Sequence, residues 1–375
     1  MPKISSITVT PLRLPLKKPY VWSQGVEEAF TVNLIALTCE DGTVGYGETT
    51  TAPDANAQKL VLEKISAGLI GQDIFDIDLS FGDVYRQHFL AFGANMPRYF
   101  AQMSSGLEMA LLDARGKVLG VPVWSLLGGP RREDVGYFYF LQGETPEALA
   151  EDARKAVSEG HPIIYLKVGV GEAHDLAAVK AVREAIGDAR LRLDANEAWS
   201  PDVALRMMAR LAPYDVEYLE QPTPSASQAA LGHVAAKTDV AIGADQSIFT
   251  LQEVFTACTT HRVDMIAIGP REIGGLFATL KAAAVAEAAG LKLCIHSSMT
   301  TGITACAEHH LGRAIPNLDD ANQIMWQLLE RDIVASPDLR PKAGRLSLPP
   351  APGLGFELDW DVVGAAAELH RNASA

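Results

Sequence analysis

Short apolar runs alternate with amphipathic segments along the chain from about residue 135 onwards. Six of these runs end, in order, at Lys167, Asp194, Glu220, Asp245, Gly269 and His296. Successive ends lie 24 to 27 residues apart, which is the length of one strand, one loop and one helix. The run VGYFYFL at 135–141 supplies an earlier strand, and residues 313–334 leave room for a later, less regular unit. The pattern predicts repeated βα units around a parallel sheet.

Such repeats close in one of two ways, as an open doubly wound sheet or as a (β/α) barrel. Crossovers between parallel strands are almost always right-handed, so equal units in a row curl in one direction. No G-x-G-x-x-G motif follows a strand here, which removes the commonest reason for the open sheet. We therefore expect an α/β protein with a TIM-type (β/α) barrel. The carboxyl ends of its strands would converge on one mouth, where barrel enzymes carry their active sites.

The first half of the N-terminal region has a different pattern. Residues 1–50 read as strands, and Glu40-Asp41-Gly42 between two β-rich runs predicts a hairpin turn. Residues 17–28 look like a polar loop. Helical periodicity follows and is clearest in FAQMSSGLEMALLDARGKVLG, where Gly120 and Pro122 are stop signals. Residues 1 to about 127 are therefore predicted to be an α+β unit.

Composition limits the partners and the compartment. The chain has 375 residues and a formal net charge of −14, which disfavours nucleic acid and anionic membranes as partners. No signal peptide and no run of about 18 apolar residues is present, so neither secretion nor a membrane span is expected. The four cysteines contain no C-x-x-C pair and are expected to be reduced. A soluble cytoplasmic protein is the default expectation.

Three acids, Asp194, Glu220 and Asp245, end three consecutive predicted strands. Neighbouring strands lie about 4.8 Å apart, so the three carboxylates would crowd around one point and repel one another. A hard divalent cation removes this conflict, and a set of oxygen ligands suits Mg²⁺ better than Zn²⁺. The alternative is three unrelated acids satisfied by loop amides or lysines. Their occurrence on successive strands favours a magnesium site.

Lys167 ends the strand before the three acids. In a surface position it would be an ordinary strand-terminal lysine. Next to a divalent cation and partly desolvated, its pKa should fall toward neutrality and make it a usable base. A base beside a metal suggests that the metal holds a substrate carboxylate while Lys167 removes the adjacent carbon-bound proton.

At these residues the sequence resembles the enolase superfamily, in its mandelate racemase and muconate-lactonising branches. The similar motifs, spread over nearly the whole chain, are VGYGE, LEMALLDARGKVLGVPVWSLLGG, YLKVG, LDANEAW, EYLEQP, IGADQS, IGG and PAPGLGFEL. The resemblance implies a modified (β/α)7β barrel at 128–344 and an α+β capping domain at 1–127, completed by the tail 345–375. It also implies one Mg²⁺ held by Asp194, Glu220 and Asp245, with Lys167 as the base.

Three positions depart from the pattern of these relatives. Tyr165 stands where the lactonising branch has the first lysine of Lys-x-Lys, and Gly269 stands where relatives have a Lys or an Asp. Gln246 stands where these relatives have an acid. Either this change is coupled to the loss of a cation at 269, because a buried carboxylate without a cationic partner is costly, or the two changes are unrelated. His296 occupies the position of the racemase branch's second base, but without its usual aspartate. Arg271 and Glu272, just past Gly269, are expected to form an exposed ion pair.

Lys167 and His296 on opposite faces of a substrate suit a racemase or epimerase acting on a small carboxylic acid or amino-acid derivative. A cycloisomerase would need Lys167 alone, and a dehydratase would use His296 as an acid. A Schiff-base aldolase and a non-catalytic binding protein are the remaining alternatives. We expect substrate contacts from the following residues: Trp22, Tyr165, Asn196, Gln246 and Ser298. The resemblance also implies a homo-oligomer. His309 and His310 are expected to be surface or helix-packing residues.

Overall fold

The computed structural model describes residues 1–51, 54–90 and 96–373. An antiparallel sheet in the order β1-β2-β3 forms the N-terminal part, from β1 (Ile4–Trp22), β2 (Gly25–Cys39) and β3 (Val44–Thr50). The hairpin turn predicted at 40–42 joins β2 to β3. The loop predicted at 17–28 is wrong, because β1 and β2 continue through it as a hairpin in which Trp22 pairs with Gly25. The register shifts between Pro15 and Tyr20, which hid the alternation in the sequence.

Four helices follow this sheet: α1 (Ala55–Ser66), α2 (Gly82–His88), α3 (Pro97–Leu119) and α4 (Val123–Leu126). Helices α1 and α3 pack against it. The long helix α3 ends at Gly120, whose φ of 68° is the left-handed conformation that the stop signal predicts. Glycines bring α3 very close to β3. A Cβ on Gly47 would lie 2.1 Å from the Gly106 carbonyl oxygen, so only glycine fits at this contact.

The next strands along the chain are β4 (Val135–Gly136), β5 (Tyr139–Phe140), β6 (Ile163–Lys167), β7 (Arg190–Asp194), β8 (Val216–Glu220), β9 (Ala241–Ala244), β10 (Met265–Ala267) and β11 (Lys292–Cys294). Strands β5 to β11 form one parallel sheet in chain order. The predicted repeat of βα units is confirmed. Asp245, Gly269 and His296 lie one or two residues beyond their strands rather than at the last strand position.

Helices follow the strands: α5 (Pro146–Ser158), α6 (Glu172–Ile186), α7 (Pro201–Leu211), α8 (Gln228–Ala235), α9 (Leu251–Thr259), α10 (Pro270–Ile273), α11 (Leu276–Ala288) and α12 (Gly302–Ala314). Several begin as their sequences indicate. Thr145 and Ser200 each accept a hydrogen bond from a first-turn backbone N–H, and each is followed by a proline at the first helical position.

An irregular segment at 318–322 closes the barrel. Leu318 bridges to Leu293 and Asn322 bridges to Tyr137, both in the parallel sense, so the segment lies between β11 and the start of the sheet. Buried Arg192 holds the segment in place, because its Nη1 donates to Asp319 Oδ2 at 2.6 Å. The fold is the expected barrel with a separate N-terminal antiparallel cap.

The C-terminal region adds β12 (Val334–Ser336), β13 (Arg345–Leu346), β14 (Glu357–Leu358) and α13 (Trp360–Ala373). Strand β13 pairs with β4, and α13 packs against β1. The boundaries at 127/128 and 344/345 stay a prediction, and the last two residues of the expected tail lie outside the described ones. In the described part of the chain, every helix is too short or too polar to cross a bilayer.

Two buried glutamates of the cap reach the N-termini of barrel helices. Glu48 accepts hydrogen bonds from the backbone N–H groups of Thr301 and Thr304 at 3.0 and 2.9 Å, at the start of α12. Glu108 accepts from Leu276 and Phe277 at the start of α11. A carboxylate at a helix N-terminus is favoured by the unpaired N–H groups and by the helix dipole. These contacts attach the cap to the helices that follow the strands β10 and β11.

Candidate active site

A cavity of about 580 Å³ lies between the cap sheet and the mouth of the barrel. Among its lining residues are six of the predicted site residues: Trp22, Lys167, Asn196, Gln246, His296 and Ser298. Tyr165, expected to contact substrate, is not among the described residues that line it. Its side chain is 1% exposed and points to Asp194 instead. The physical reason is strand alternation, which places Tyr165 on the same side as Lys167 but one layer deeper.

The register of the parallel sheet places the side chains of Lys167, Asp194 and Glu220 at the same height in the barrel. Lys167 pairs with Asp194, and Asp194 pairs with Glu220. Asp245 follows the next strand. All three carboxylates are at most 2% exposed. The sequence pattern therefore brought the residues together as expected, at the carboxyl end of the sheet.

The group of potential ligand atoms differs in one member from the expected one. Atoms of Glu220, Asp245 and His296 lie within 4.8 Å of one another. Asp194 is outside this group and accepts hydrogen bonds of its own: its Oδ2 accepts from the Tyr165 hydroxyl at 2.7 Å and from Lys167, and its Oδ1 accepts from the Asn196 N–H at 2.7 Å.

Burial and mutual repulsion dominate the electrostatics of the acids. Burial, with the charges of Asp194 and Asp245, raises the pKa of Glu220 to about 8. Burial also raises the pKa of Asp245 to about 7, although His296 opposes the shift. Glu220 Oε1 and Asp245 Oδ2 are buried without a hydrogen-bond partner among the described residues. Two such oxygens in one acidic cluster fit a hard divalent cation.

Lys167 is held by its neighbours in the charged form. Burial alone would lower its pKa, but the adjoining Asp194 carboxylate outweighs this and raises it. The rise comes from direct contact with Asp194, whose negative charge a cation among the carboxylates would offset. The fall of the Lys167 pKa that we expect beside a bound cation stays a prediction.

His296 has the carboxylate partner that the sequence did not reveal. Its Nδ1 lies 3.3 Å from Glu272 Oε1 and 3.6 Å from Asp245 Oδ1. Burial alone would lower the pKa of His296, but these two acids raise it to about 9. Glu272 does pair with Arg271, yet it is 1% exposed, so the expected exposed ion pair is wrong.

A local signal in the sequence could have located Glu272. Gly269, Pro270 and Glu272 are the Ncap, N1 and N3 positions of the short helix α10, and Glu at N3 commonly turns back to the Ncap N–H. Glu272 Oε2 indeed accepts from the Gly269 N–H at 2.9 Å. This hydrogen bond places the Glu272 carboxylate beside Gly269, which has no side chain of its own. A Cβ on Gly269 would lie 2.0 Å from the His296 carbonyl oxygen, so the glycine is required by the backbone.

The polar atoms around the cavity are partly unsatisfied. Trp22 Nε1, Asn196 Oδ1 and Gln246 Oε1 are buried and have no hydrogen-bond partner among the described residues. The Asn196 backbone carbonyl accepts from the Ser23 hydroxyl at 2.8 Å, which joins the tip of the β1–β2 hairpin to the loop after β7. Gln323 orients the loop of Ser298 by accepting from the Ser297 N–H at 2.9 Å.

Two family models together match most of the chain. The model described as "Mandelate racemase / muconate lactonizing enzyme, N-terminal domain" matches residues 4–128. The model described as "Enolase C-terminal domain-like" matches residues 148–362. The chain belongs to the mandelate racemase/muconate lactonizing enzyme family of the enolase superfamily. The resemblance drawn from the strand-end motifs is confirmed.

Several members of this family similar to the chain are isomerases, and a probable glucarate dehydratase is also among the similar members. Muconate cycloisomerase 1-1 of Acinetobacter lwoffii is 32% identical over 96% of this chain and 96% of its own. The hydrophobic dipeptide epimerase of Enterococcus faecalis is 30% identical over 85% of this chain and 90% of its own. The crystal structure of muconate lactonizing enzyme from Pseudomonas fluorescens, complexed with muconolactone, superposes with a TM-score of 0.89 at 31% identity. The superposition covers 97% of this chain and 99% of the Pseudomonas fluorescens chain.

Proposed function

We propose that this protein is a Mg²⁺-dependent racemase or epimerase that moves the proton α to the carboxylate of a small acid or amino-acid derivative. One observation carries the proposal. Lys167 ends β6 and His296 follows β11, so the strands β7 to β10 separate them in the sheet, yet both line one cavity. Two acid–base groups that face one space from separate sides are what a 1,1-proton transfer requires.

Asp194, Glu220 and Asp245 are the residues that would hold the cation, and His296 lies close enough to Glu220 and Asp245 to contact the same site. When bound, Mg²⁺ supplies positive charge that neutralises a substrate carboxylate and makes the adjacent C–H bond more acidic. The unpartnered oxygens of Glu220 and Asp245 support this assignment.

The protein groups then share the proton transfer. Lys167 accepts or returns the α-proton on one side of the substrate, and His296 does so on the other. Glu272 supports His296 by accepting a hydrogen bond at Nδ1, which leaves Nε2 for the substrate. Trp22, Asn196, Gln246 and Ser298 would contact the rest of the substrate from the cavity wall.

Two other reactions would use the same site and differ from racemisation in which proton transfers they require. A cycloisomerase, the activity in the name of the Acinetobacter lwoffii relative, needs proton transfer at one face only. A dehydratase would use His296 to protonate a leaving hydroxyl group on the β-carbon. The products separate the three reactions: an inverted α-carbon, a ring-opened or ring-closed isomer, or a keto acid formed with loss of water.

The test is hydrogen exchange in deuterated water. The Mg²⁺-loaded enzyme is incubated with single enantiomers of hydroxy acids, N-acylamino acids and dipeptides. Proton NMR then follows the α-hydrogen, and chiral chromatography follows the configuration. We expect exchange with inversion on part of the panel, loss of exchange with EDTA, and loss of exchange from one enantiomer in Lys167→Ala. Normal exchange in Lys167→Ala contradicts the assignment.

Controls address the remaining alternatives. Trapping of a substrate on Lys167 by borohydride, in the presence of EDTA, would indicate a Schiff-base aldolase instead. Mg²⁺ binding without exchange on any acid would indicate a binding protein. The expected homo-oligomer is checked by light scattering on the purified protein.

A further inference from the structure

Two tyrosines lie one layer below the carboxylates at the barrel mouth. Tyr165 and Tyr218 stand two residues before Lys167 and Glu220, so strand alternation turns them toward the same interior. We propose that Tyr165 and Tyr218 are positioning residues that orient the Asp194 and Glu220 carboxylates for a divalent cation. The inference rests on the proposed metal site.

Tyr165 fixes Asp194 from below. Its hydroxyl donates to Asp194 Oδ2 at 2.7 Å, while the Asn196 N–H donates to Oδ1 at 2.7 Å, so the plane of the carboxylate is defined from both ends. Aromatic stacking restrains the tyrosine ring. Its ring stacks on Phe138 with centroids 4.2 Å apart and an angle of 5° between the planes.

Tyr218 fixes one oxygen of Glu220 and leaves the other available. Its hydroxyl donates to Glu220 Oε2 at 3.0 Å. Glu220 Oε1 is the buried oxygen that has no partner in the described part of the chain. The hydrogen bond therefore selects the side-chain rotamer in which Oε1 is presented to the acidic cluster.

A glycine on the neighbouring strand makes room for this hydroxyl. A Cβ on Gly243 would lie 2.0 Å from the Tyr218 hydroxyl oxygen and 2.3 Å from its ring. Gly243 pairs with Glu220 across the β8–β9 ladder, and its φ is not in the left-handed region. Its lack of a side chain is thus explained by space for Tyr218 rather than by backbone conformation.

The chemistry of the donor matters. A phenol hydroxyl donates a strong hydrogen bond to a carboxylate without adding positive charge. A lysine at 165 would donate too, but its charge would compete with a cation for the same acids. Hydrogen bonds of this kind, behind the residues that ligate a metal, typically change metal affinity by about 10–100-fold.

The experiment measures metal affinity rather than turnover. Wild type, Tyr165→Phe and Tyr218→Phe are stripped with EDTA, dialysed, and titrated with MgCl₂ and MnCl₂ by calorimetry. The matched control is Tyr137→Phe. Tyr137 is equally buried in the barrel, but its hydroxyl faces His309 at 3.4 Å. The thermal midpoint in EDTA reports on packing for all four proteins.

We expect the Kd for both cations to rise about 10–100-fold in Tyr165→Phe and Tyr218→Phe and less than about twofold in the control. Wild-type affinity in both variants overturns the inference while leaving the proposed function intact. Failure of the wild type to bind either cation overturns both. Because the two tyrosines stand on different strands, one variant suffices for the test should the other fail to fold.

Discussion

Nδ1 of His296 lies 3.3 Å from Oε1 of Glu272, and both side chains are buried at the mouth of the barrel. Gly269 stands between them in the fold, since its N–H binds Glu272 and its Cα faces the His296 carbonyl. An acid three residues past Gly269 therefore supplies the carboxylate that position 269 lacks. In the proposed mechanism, this contact orients His296 as the acid–base group on one face of the cavity.

Replacing Glu272 should disable one face only. In Glu272→Gln the side chain keeps its size and a hydrogen bond to Gly269, but His296 loses the charge that favours its protonated, oriented form. We expect proton exchange from the enantiomer served by His296 to fall about 10²-fold, within the range that a positioned acid–base group contributes. Exchange from the enantiomer served by Lys167 should persist. Enantiomer-resolved deuterium uptake checks this.

His296→Asn is the matched variant for that experiment. It should show the same one-sided loss, and the double variant should be no worse than His296→Asn alone, because Glu272 acts through His296. Equal losses for the two enantiomers in Glu272→Gln would contradict the assignment, as would a further loss in the double variant.

Metal addition should stabilise the protein through Glu220 and Asp245. Their buried carboxylates repel one another, and a cation that binds only the folded state adds about 2.7 kcal/mol of stability at one hundred times its Kd. We expect Mg²⁺ to raise the thermal midpoint and EDTA to reverse the rise. Differential scanning fluorimetry with and without MgCl₂ makes the measurement.

Glu220→Gln separates the cation from general salt effects. The variant should unfold in EDTA at or above the wild-type temperature, because a neutral side chain relieves repulsion. It should lose the Mg²⁺-dependent rise. A full Mg²⁺ response in this variant would place the binding site elsewhere.

The sequence was sufficient to predict that the charged residues at the strand ends lie at the same height in the barrel. This height depends only on how many residues each strand contains before its end. Lys167, Asp194 and Glu220 end adjacent strands in register, so reading each strand to its last residue aligned them correctly. The alternation of side chains along a strand also predicts the position of Tyr165. It is two residues before Lys167, so its side chain must lie on the same side of the sheet, one layer deeper in the barrel. A motif shared along the sequence does not specify depth in the barrel, so it favours Tyr165 as a substrate contact although its side chain is buried against Asp194.

Other features depend on contacts between distant parts of the chain. The closing segment at 318–322 has no regular strand pattern, and it is held by Arg192 from β7. The interaction of Glu272 with His296 joins two loops through side chains whose directions no periodicity specifies. The hairpin at 17–28 was missed because a register shift interrupts its alternation.

Arg192 should be the most costly charged residue to remove from the barrel. It is 1% exposed, and its Nη1 pairs with Asp319, which is 3% exposed. Arg192→Met would leave buried Asp319 with the exposed Lys292, 3.8 Å away, in place of its partner at 2.6 Å. Removal of one member of a buried ion pair typically destabilises a protein by about 3–5 kcal/mol. Arg190→Met is the control, because Arg190 is 38% exposed and its pairs should contribute up to about 1 kcal/mol. Thermal midpoints measured in parallel test the ranking, and similar losses in the two variants would contradict it.

His310 should make the protein sensitive to acid. It lies buried on α12, where its Nδ1 accepts from the Trp124 N–H and its Nε2 faces the Leu354 carbonyl, both at 3.2 Å. The neutral ring with a proton on Nε2 satisfies both contacts, whereas a proton on Nδ1 would face another N–H. Burial lowers the pKa of His310 from 6.5 to about 4.

The sign of the pH effect follows from linkage. The folded state keeps His310 neutral, while the unfolded state takes up a proton below pH 6.5. Stability is therefore fully present above pH 6.5 and is lost as the pH falls toward 4, by at most about 1.4 kcal/mol per pH unit from this residue. His310→Gln can accept from Trp124 and donate to Leu354 but does not titrate. We expect its thermal midpoint to fall less steeply than that of the wild type between pH 6.5 and 4.5, and parallel slopes for the two proteins would contradict the assignment.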